Sequence, residues 1–254
     1  MDNVVVNVIE RPKLKDTVMV EGLPGIGLVG KLAGDHMKDE LKAVKFAEIF
    51  SPYLPPQVNI QDDGTIKLVN MELYYWQGVR DLIFLVGDFQ GLTPDSQYQL
   101  AERTLDLAQE FGVTRIYTLG GLGTGAITSN PRVFGAATSK NLVTELEKYG
   151  VIFKGGGAIF GASGLLLGLA MPRKIDAVCL MGETHGQIID AKSAEAVLEV
   201  LTRILGVPVN MDEIEKKAKQ TEEQLSQMSK MITSHKKAAE RQQQISNESP
   251  SYLR

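Results

Sequence analysis

The residues of this chain whose types and spacing could do chemistry sit at the ends of apolar runs. Gly25, Gly27 and Gly30 follow the run Val18-Met19-Val20 in the order G-x-G-x-x-G, and Glu48 lies about twenty residues further on. In a strand, turn and helix setting, that spacing describes a dinucleotide site: glycines let the backbone approach a pyrophosphate, and an acid takes the ribose. Gly30-Lys31 also nearly completes a phosphate loop, but Leu32 stands where a hydroxyl must ligate magnesium. Pro24 removes one amide that a phosphate cradle would use. The preferred reading is a structural glycine turn of Gly22, Pro24, Gly25, Gly27 and Gly30, in which helix and strand pack closely without phosphate.

A second set could serve an enzyme. Glu21, Asp88, Gly120-Gly121 and Glu183-Thr184-His185 each follow a predicted strand, where parallel sheets gather ligands. His185 could act as a general base, with Glu183 or Asp88 as acid or orienter. His36, His185 and His235 fall on separate predicted elements without ligand spacing, so no metal site and no cofactor is expected. Capping of helices and turns explains Glu183 and His185 without chemistry, and a nucleotide- or nucleoside-binding enzyme is the alternative reading.

The elements that must position these residues read as α/β. A chain of 254 residues, 43% apolar and 23% charged, is long enough for one large domain and an appendage. Its formal charge of −4 gives no pull toward nucleic acid. Cys179 is alone, inside the run Ala177 to Met181, and reads as a buried hydrophobe. The first residues lack a basic lead, and Ala158 to Met171 is too short to span a bilayer, so a cytoplasmic protein without membrane anchor is expected.

Strand and helix patterns alternate, which predicts a mostly parallel central sheet with flanking helices. An antiparallel hairpin is expected at one side: Val58 and Ile60 alternate before Asp62-Asp63-Gly64, and Ile66 to Tyr75 reads as one return strand bulged near Val69. Thr93 or Asp95 is expected to cap one helix and Ser193 another. Residues 135–149 are predicted to be helical.

Beyond Pro208 the pattern changes. Ile214, Ala218, Thr221, Leu225, Met228, Ile232, His235 and Ala239 recur at spacings of three and four, which predicts a long C-terminal helical arm. Ile214, Leu225, Met228 and Ile232 are its expected packing positions, against another subunit or the body. The predicted division is a body over 1–209, an arm over 210–245 and a docking tail over 246–254. The tail ends in Tyr252-Leu253-Arg254, an aromatic, an aliphatic and a terminal carboxylate suited to one pocket.

Several separated motifs carry a resemblance. Residues 21–33, EGLPGIGLVGKLA, with Phe46-Ala47-Glu48, Glu110-Phe111-Gly112, Pro131-Arg132-Val133 and residues 161–168, GASGLLLG, are together similar to the archaeal proteasome-assembly chaperone family. The resemblance runs from Val4 to Val209 and on into the arm and tail. It implies a nucleoside-phosphorylase-like body and homo-oligomers, tetramers or pentamers. It also implies a non-enzymatic role in binding proteasome α subunits or the assembled 20S particle. In that family and in proteasome activators a penultimate tyrosine enters pockets between α subunits. Here tyrosine is third from the end, so docking through Tyr252, Leu253 and Arg254 is expected, while gate opening is left open.

Overall fold

The computed structural model describes residues 4–220. Nine strands form one sheet: β1 (Val5–Val8), β2 (Thr17–Gly22), β3 (Val44–Phe50), β6 (Met71–Trp76), β7 (Leu82–Gly87), β8 (Val113–Gly123), β9 (Val133–Ala137), β10 (Ile152–Phe153) and β11 (Asp176–Thr184). Their order across the sheet is β1-β3-β6-β7-β2-β8-β11-β9-β10. The centre, β7-β2-β8-β11, is parallel, as the apolar runs require. Both flanks turn antiparallel, at β1-β3-β6-β7 and at β11-β9, so the sheet is mixed rather than mostly parallel.

Strand side chains alternate between two cores. On one face Met19, Ile83, Leu85, Ala177 and Cys179 pack under α2 (Pro94–Glu110) and α4 (Gly161–Ala170). On the other, Val18, Val20, Phe84, Val178 and Leu180 pack under α1 (Val29–Glu40), α3 (Lys140–Glu147) and α5 (Ala191–Leu205). Burial on both faces is why β2 and β7 read as unbroken apolar runs. Among the described residues no helix is long and apolar enough to cross a membrane.

Three local expectations are corrected. The predicted return strand from Ile66 to Tyr75 is two strands: β5 (Ile66–Leu68) pairs only with β4 (Val58–Ile60), while β6 joins the main sheet. Val69 and Asn70, both buried, are where the chain leaves one sheet for the other, which periodicity registered as a slip. The predicted helix over 135–149 begins only at Lys140, because Val133–Ala137 is drawn into antiparallel pairing with β11. Gly135 suits that strand: a Cβ there would stand 2.6 Å from the Val151 side chain. Asp190, not Ser193, caps α5, accepting from the Ser193 amide at 2.9 Å. Thr93 caps α2 in a reciprocal box with Ser96, as expected.

The chain past α5 stays on the body at first. Residues 212–220 are helical, and Ile214 and Ala218 are buried, Ile214 within the α1/α5 core. The ring of His36 on α1 meets the Asn210 carbonyl at 2.7 Å. Leu225, Met228, Ile232, His235 and the tail residues Tyr252, Leu253 and Arg254 lie outside the described residues.

Candidate functional site

The glycine-dense turn lies at the C-terminal end of β2, the central parallel strand, where ligands collect in sheets of this kind. Here that end is filled. A Cβ on Gly30 would lie 2.1 Å from the Leu119 carbonyl oxygen, and one on Gly22 would lie 2.8 Å from the Gly34 Cα. One on Gly121 would lie 2.4 Å from the Ile26 carbonyl oxygen. Absent side chains therefore bring α1 into backbone contact with β2 and β8. Gly27, at φ +65°, makes the turn through the left-handed region, and its carbonyl accepts from the Asp190 amide at 2.9 Å. A void of about 10 Å³ beside Leu23, Gln90 and Ala162 has room for no more than one water.

The residues that would serve a nucleotide are committed elsewhere. Lys31 Nζ is 3.0 Å from both Asp35 and Asp88 and donates to the Gly87 carbonyl at 3.1 Å. Glu48 is on β3, separated from β2 by β6 and β7. Its carboxylate accepts from Lys45 at 2.8 Å and from Asn7 at 3.2 Å. The acidic ribose partner suggested by spacing is therefore not beside the glycines, because the chain after α1 crosses to the far flank instead of the neighbouring strand.

The candidate acids and base do not converge on a reaction centre. Glu21 is completely buried; Oε1 accepts from the Leu23 amide at 3.1 Å and Oε2 from Ser163 Oγ at 2.9 Å. Loss of water raises its pKa to about 7 despite those bonds. Burial likewise pushes the Cys179 thiol up to about 12, leaving it unreactive. Glu183 is bound on both oxygens by Arg132, at 2.8 and 2.7 Å. His185 Nδ1 is buried without a hydrogen-bond partner. No group of three His, Cys, Asp or Glu able to hold a metal occurs among the described residues.

The Arg132 clamp and the Ser163 contact were not legible in the sequence, since each pair is joined only by the sheet. Arg132 holds the Glu183 carboxyl below its ordinary range, so the pair stabilises above the ordinary carboxylate pKa and loses that contribution as acid protonates Glu183. Arg132→Met is expected to lower the melting temperature at pH 7 and leave it unchanged near pH 3. Equal losses at both values would assign Arg132 a packing role instead.

What this end of the sheet offers is surface. Ile26, in the short 3-10 turn Ile26–Leu28, and Leu92, Ile127, Phe160 and Ile189, on loops around it, are exposed, Phe160 to 86%. An open groove of about 1120 Å³ lies at the opposite end, beside Lys15, Arg80 and Arg115. Arg115 is held there by Glu145 at 2.7 Å and Asp176 at 3.3 Å. The arrangement suits contact with a macromolecule better than turnover of a small one.

Comparison with known proteins agrees with that character. Over 228 residues, 89% of this chain and 88% of the relative, the sequence is 41% identical to an uncharacterized protein of Methanocaldococcus jannaschii. The fold matches the crystal structure of Pyrococcus furiosus PbaB, an archaeal proteasome activator, with TM-score 0.85 and 41% identity over 90% of this chain and 100% of that one. It also matches Pyrococcus furiosus PbaA, an archaeal homolog of proteasome-assembly chaperone, with TM-score 0.75 and 28% identity over 92% and 99% of the two chains. The PAC2 family model matches residues 19–229, and the chain belongs to the PAC2 family.

Proposed function

We propose that this protein is a non-enzymatic, cytoplasmic proteasome-binding factor that acts as an assembly chaperone or activator of the 20S particle. The observation that carries this is the 41% identity and shared fold, over nine-tenths of the chain, with a protein described as an archaeal proteasome activator. The sealed glycine turn supports it from the other side: the position where an α/β enzyme would hold its ligand is occupied by backbone.

In this reading the α/β body over 1–209, nucleoside-phosphorylase-like in fold, is a mount. The first residues of the arm over 210–245 pack on it through Ile214 and Ala218, and Tyr252, Leu253 and Arg254 at the end of the chain dock on proteasome α subunits, free or assembled. Leu225, Met228 and Ile232 favour packing over exposure, since each left in water forgoes roughly 1.5 to 3 kcal/mol. A homo-oligomer, tetramer or pentamer, carries several tails. Once one has docked, the next meets its site at high effective concentration, so weak single contacts add to firm capture.

The test is native mass spectrometry of the protein alone and mixed with archaeal 20S proteasome. The full chain is expected to form a complex, and deletion of residues 250–254 is expected to abolish it while the mass of the protein alone changes only by the residues removed. Undiminished capture by the truncated chain would move the binding surface onto the body, and no capture by the full chain would remove the reading altogether.

A further inference from the structure

The backbone seal at the glycine turn closes one side of β2 only. Gly30 and Gly121 bring α1 and the turn against β8, whereas β7 lies on the other side of β2 and ends in Gly87-Asp88. Helix α1 follows β2 on one face of the sheet and α2 follows β7 on the other, and neighbouring parallel strands whose connections part in this way leave a crevice at their carboxyl ends. There a cleft of about 220 Å³ opens between α1 and the β4/β5 hairpin, floored by the start of β6 and the end of β7. Buried Leu54 and Val69 hold the hairpin at its two ends, and its paired Asn59 and Lys67 line the cleft opposite Lys31 and Asp35 of α1.

The two walls leave different groups unused. On the α1 side the Lys31 ammonium is saturated, with Asp35 and Asp88 at 3.0 Å and the Gly87 carbonyl at 3.1 Å. What remains there is acceptor: Asp88 Oδ2 meets no donor among the described residues, and Asp35 Oδ1 is 3.9 Å from Lys38 Nζ, beyond hydrogen-bond length. On the hairpin side what remains is donor. Lys67 Nζ has Glu72 at 2.8 Å and further hydrogens to give, and Asn59 accepts from Gln57 through Oδ1 at 3.3 Å, which leaves its NH2 group free. Asn70, at the floor, offers both kinds. It is 6% exposed, lies two residues before Glu72 and so on the same side of the sheet, and its side-chain amide has no hydrogen-bond partner among the described residues. Buried amides are ordinarily satisfied, and what remains accessible of this one opens into the cleft.

We propose that the cleft binds a free amino acid, with its carboxylate toward Lys67 and Asn59, its ammonium toward Asp88 and Asp35, and Asn70 bridging the two. An anion alone would meet the carboxylates of Asp35, Asp39, Glu72 and Asp88, and a cation alone the ammonium groups of Lys31, Lys38 and Lys67. A zwitterion meets both walls through charge-assisted bonds. Size agrees: the volume is that of roughly seven waters of liquid, close to a small amino acid. It lies below the ~300 Å³ at which pockets for larger organic ligands begin, and among the described residues no aromatic ring lines it to stack a base. Binding here needs no catalysis, so the inference is independent of the proteasome reading.

Isothermal titration calorimetry of the full chain with each of the twenty common amino acids, to about 10 mM, tests it. At least one is expected to bind with a Kd of about 1 mM or tighter. Acetate, methylammonium and glycerol, which carry one charge or none, are expected not to bind. Asp88→Asn and Lys67→Met change side chains that are 58% and 39% exposed, so both variants should fold, and each is expected to weaken binding about 10-fold or more. Asn70→Leu, its fold checked by circular dichroism, is expected to abolish the heat of binding; should it fail to fold, the other two variants decide. No heat from any of the twenty overturns the proposal and leaves Asn70 merely hydrated. Binding that none of the three substitutions weakens lies elsewhere and also overturns it. Acetate, methylammonium or glycerol binding as tightly as the amino acid overturns the assignment of a zwitterion. None of these results involves the proteasome, so failure here leaves that reading standing.

Discussion

Gly30→Ala is expected to lower stability by about 3 kcal/mol or more, because its Cβ would be placed 2.1 Å from the Leu119 carbonyl oxygen with backbone on both sides. For a domain of this size that is a fall in melting temperature of about 6–12 °C. Neither α1 nor β8 can yield: both lie in the same packed core, through Val29 and Ala33 on one and Tyr117 and Leu119 on the other. Gly25→Ala is the paired measurement, since nothing lies within 4 Å of a Cβ there, and it should melt as wild type does. The pair separates two meanings of the same G-x-G-x-x-G spacing. A phosphate cradle would leave Gly30→Ala folded and deficient in binding, whereas a helix-to-strand contact makes it unstable with nothing bound. A melt of Gly30→Ala indistinguishable from wild type would refute the packing account.

The second large effect concerns Glu21 and pH. Its carboxyl is protonated in the folded chain up to about pH 7 but ionises near its ordinary value of 4.5 once unfolded. Below pH 4.5 both states hold the proton and the group costs nothing. Between 4.5 and 7 the unfolded chain releases a proton that the folded chain retains, so stability falls as pH rises, and above about 7 the loss levels off. Across that window the decline attributable to Glu21 is about 3 kcal/mol. The groups facing it are the Leu23 amide, the Leu119 backbone on β8, Ser163 on α4 and the Cys179 thiol of β11, and none is a cation that would hold the charge. Glu21→Gln keeps the shape and the acceptor for Leu23, so its unfolding free energy should lack this decline. Glu48, Glu72 and Glu183, whose pKa values are lowered by Lys or Arg partners, act in the opposite sense at acid pH and are common to both proteins. The difference between wild type and Glu21→Gln, followed by urea unfolding from about pH 4 to about pH 8, isolates the buried acid. A constant difference would mean that Glu21 ionises where it stands.

These two results bear on function together. A neutral, inaccessible acid and a turn closed by backbone are poor equipment for catalysis, however well their sequence spacing imitates it. The same end of the sheet carries exposed Ile26, Ile127, Phe160 and Ile189, and the hairpin at one flank carries four more exposed aliphatics. Apolar surface concentrated on loops and on a held hairpin is what a protein that works by contact presents.

Local chemistry alone determined a good deal. Apolar runs ending in glycine marked β2, β7 and β8, because strands buried on both faces admit almost no polar residue. Thr93 or Asp95 marked the start of α2, and Thr93 is the cap, because an oxygen three residues before a free amide is a short-range device. Order among the strands was beyond its reach. Whether β3 lies beside β2 in space or crosses three places away depends on the energy of the whole sheet, and that alone removed Glu48 from the glycines. Arg132 found Glu183, and Ser163 found Glu21, across 51 and 142 residues for the same reason. The alternation of Val58, Ile60, Ile66 and Leu68 was visible from the start, but alternation says only that two faces differ. Which of them meets water is decided by where Leu54 and Val69 anchor the hairpin to the body.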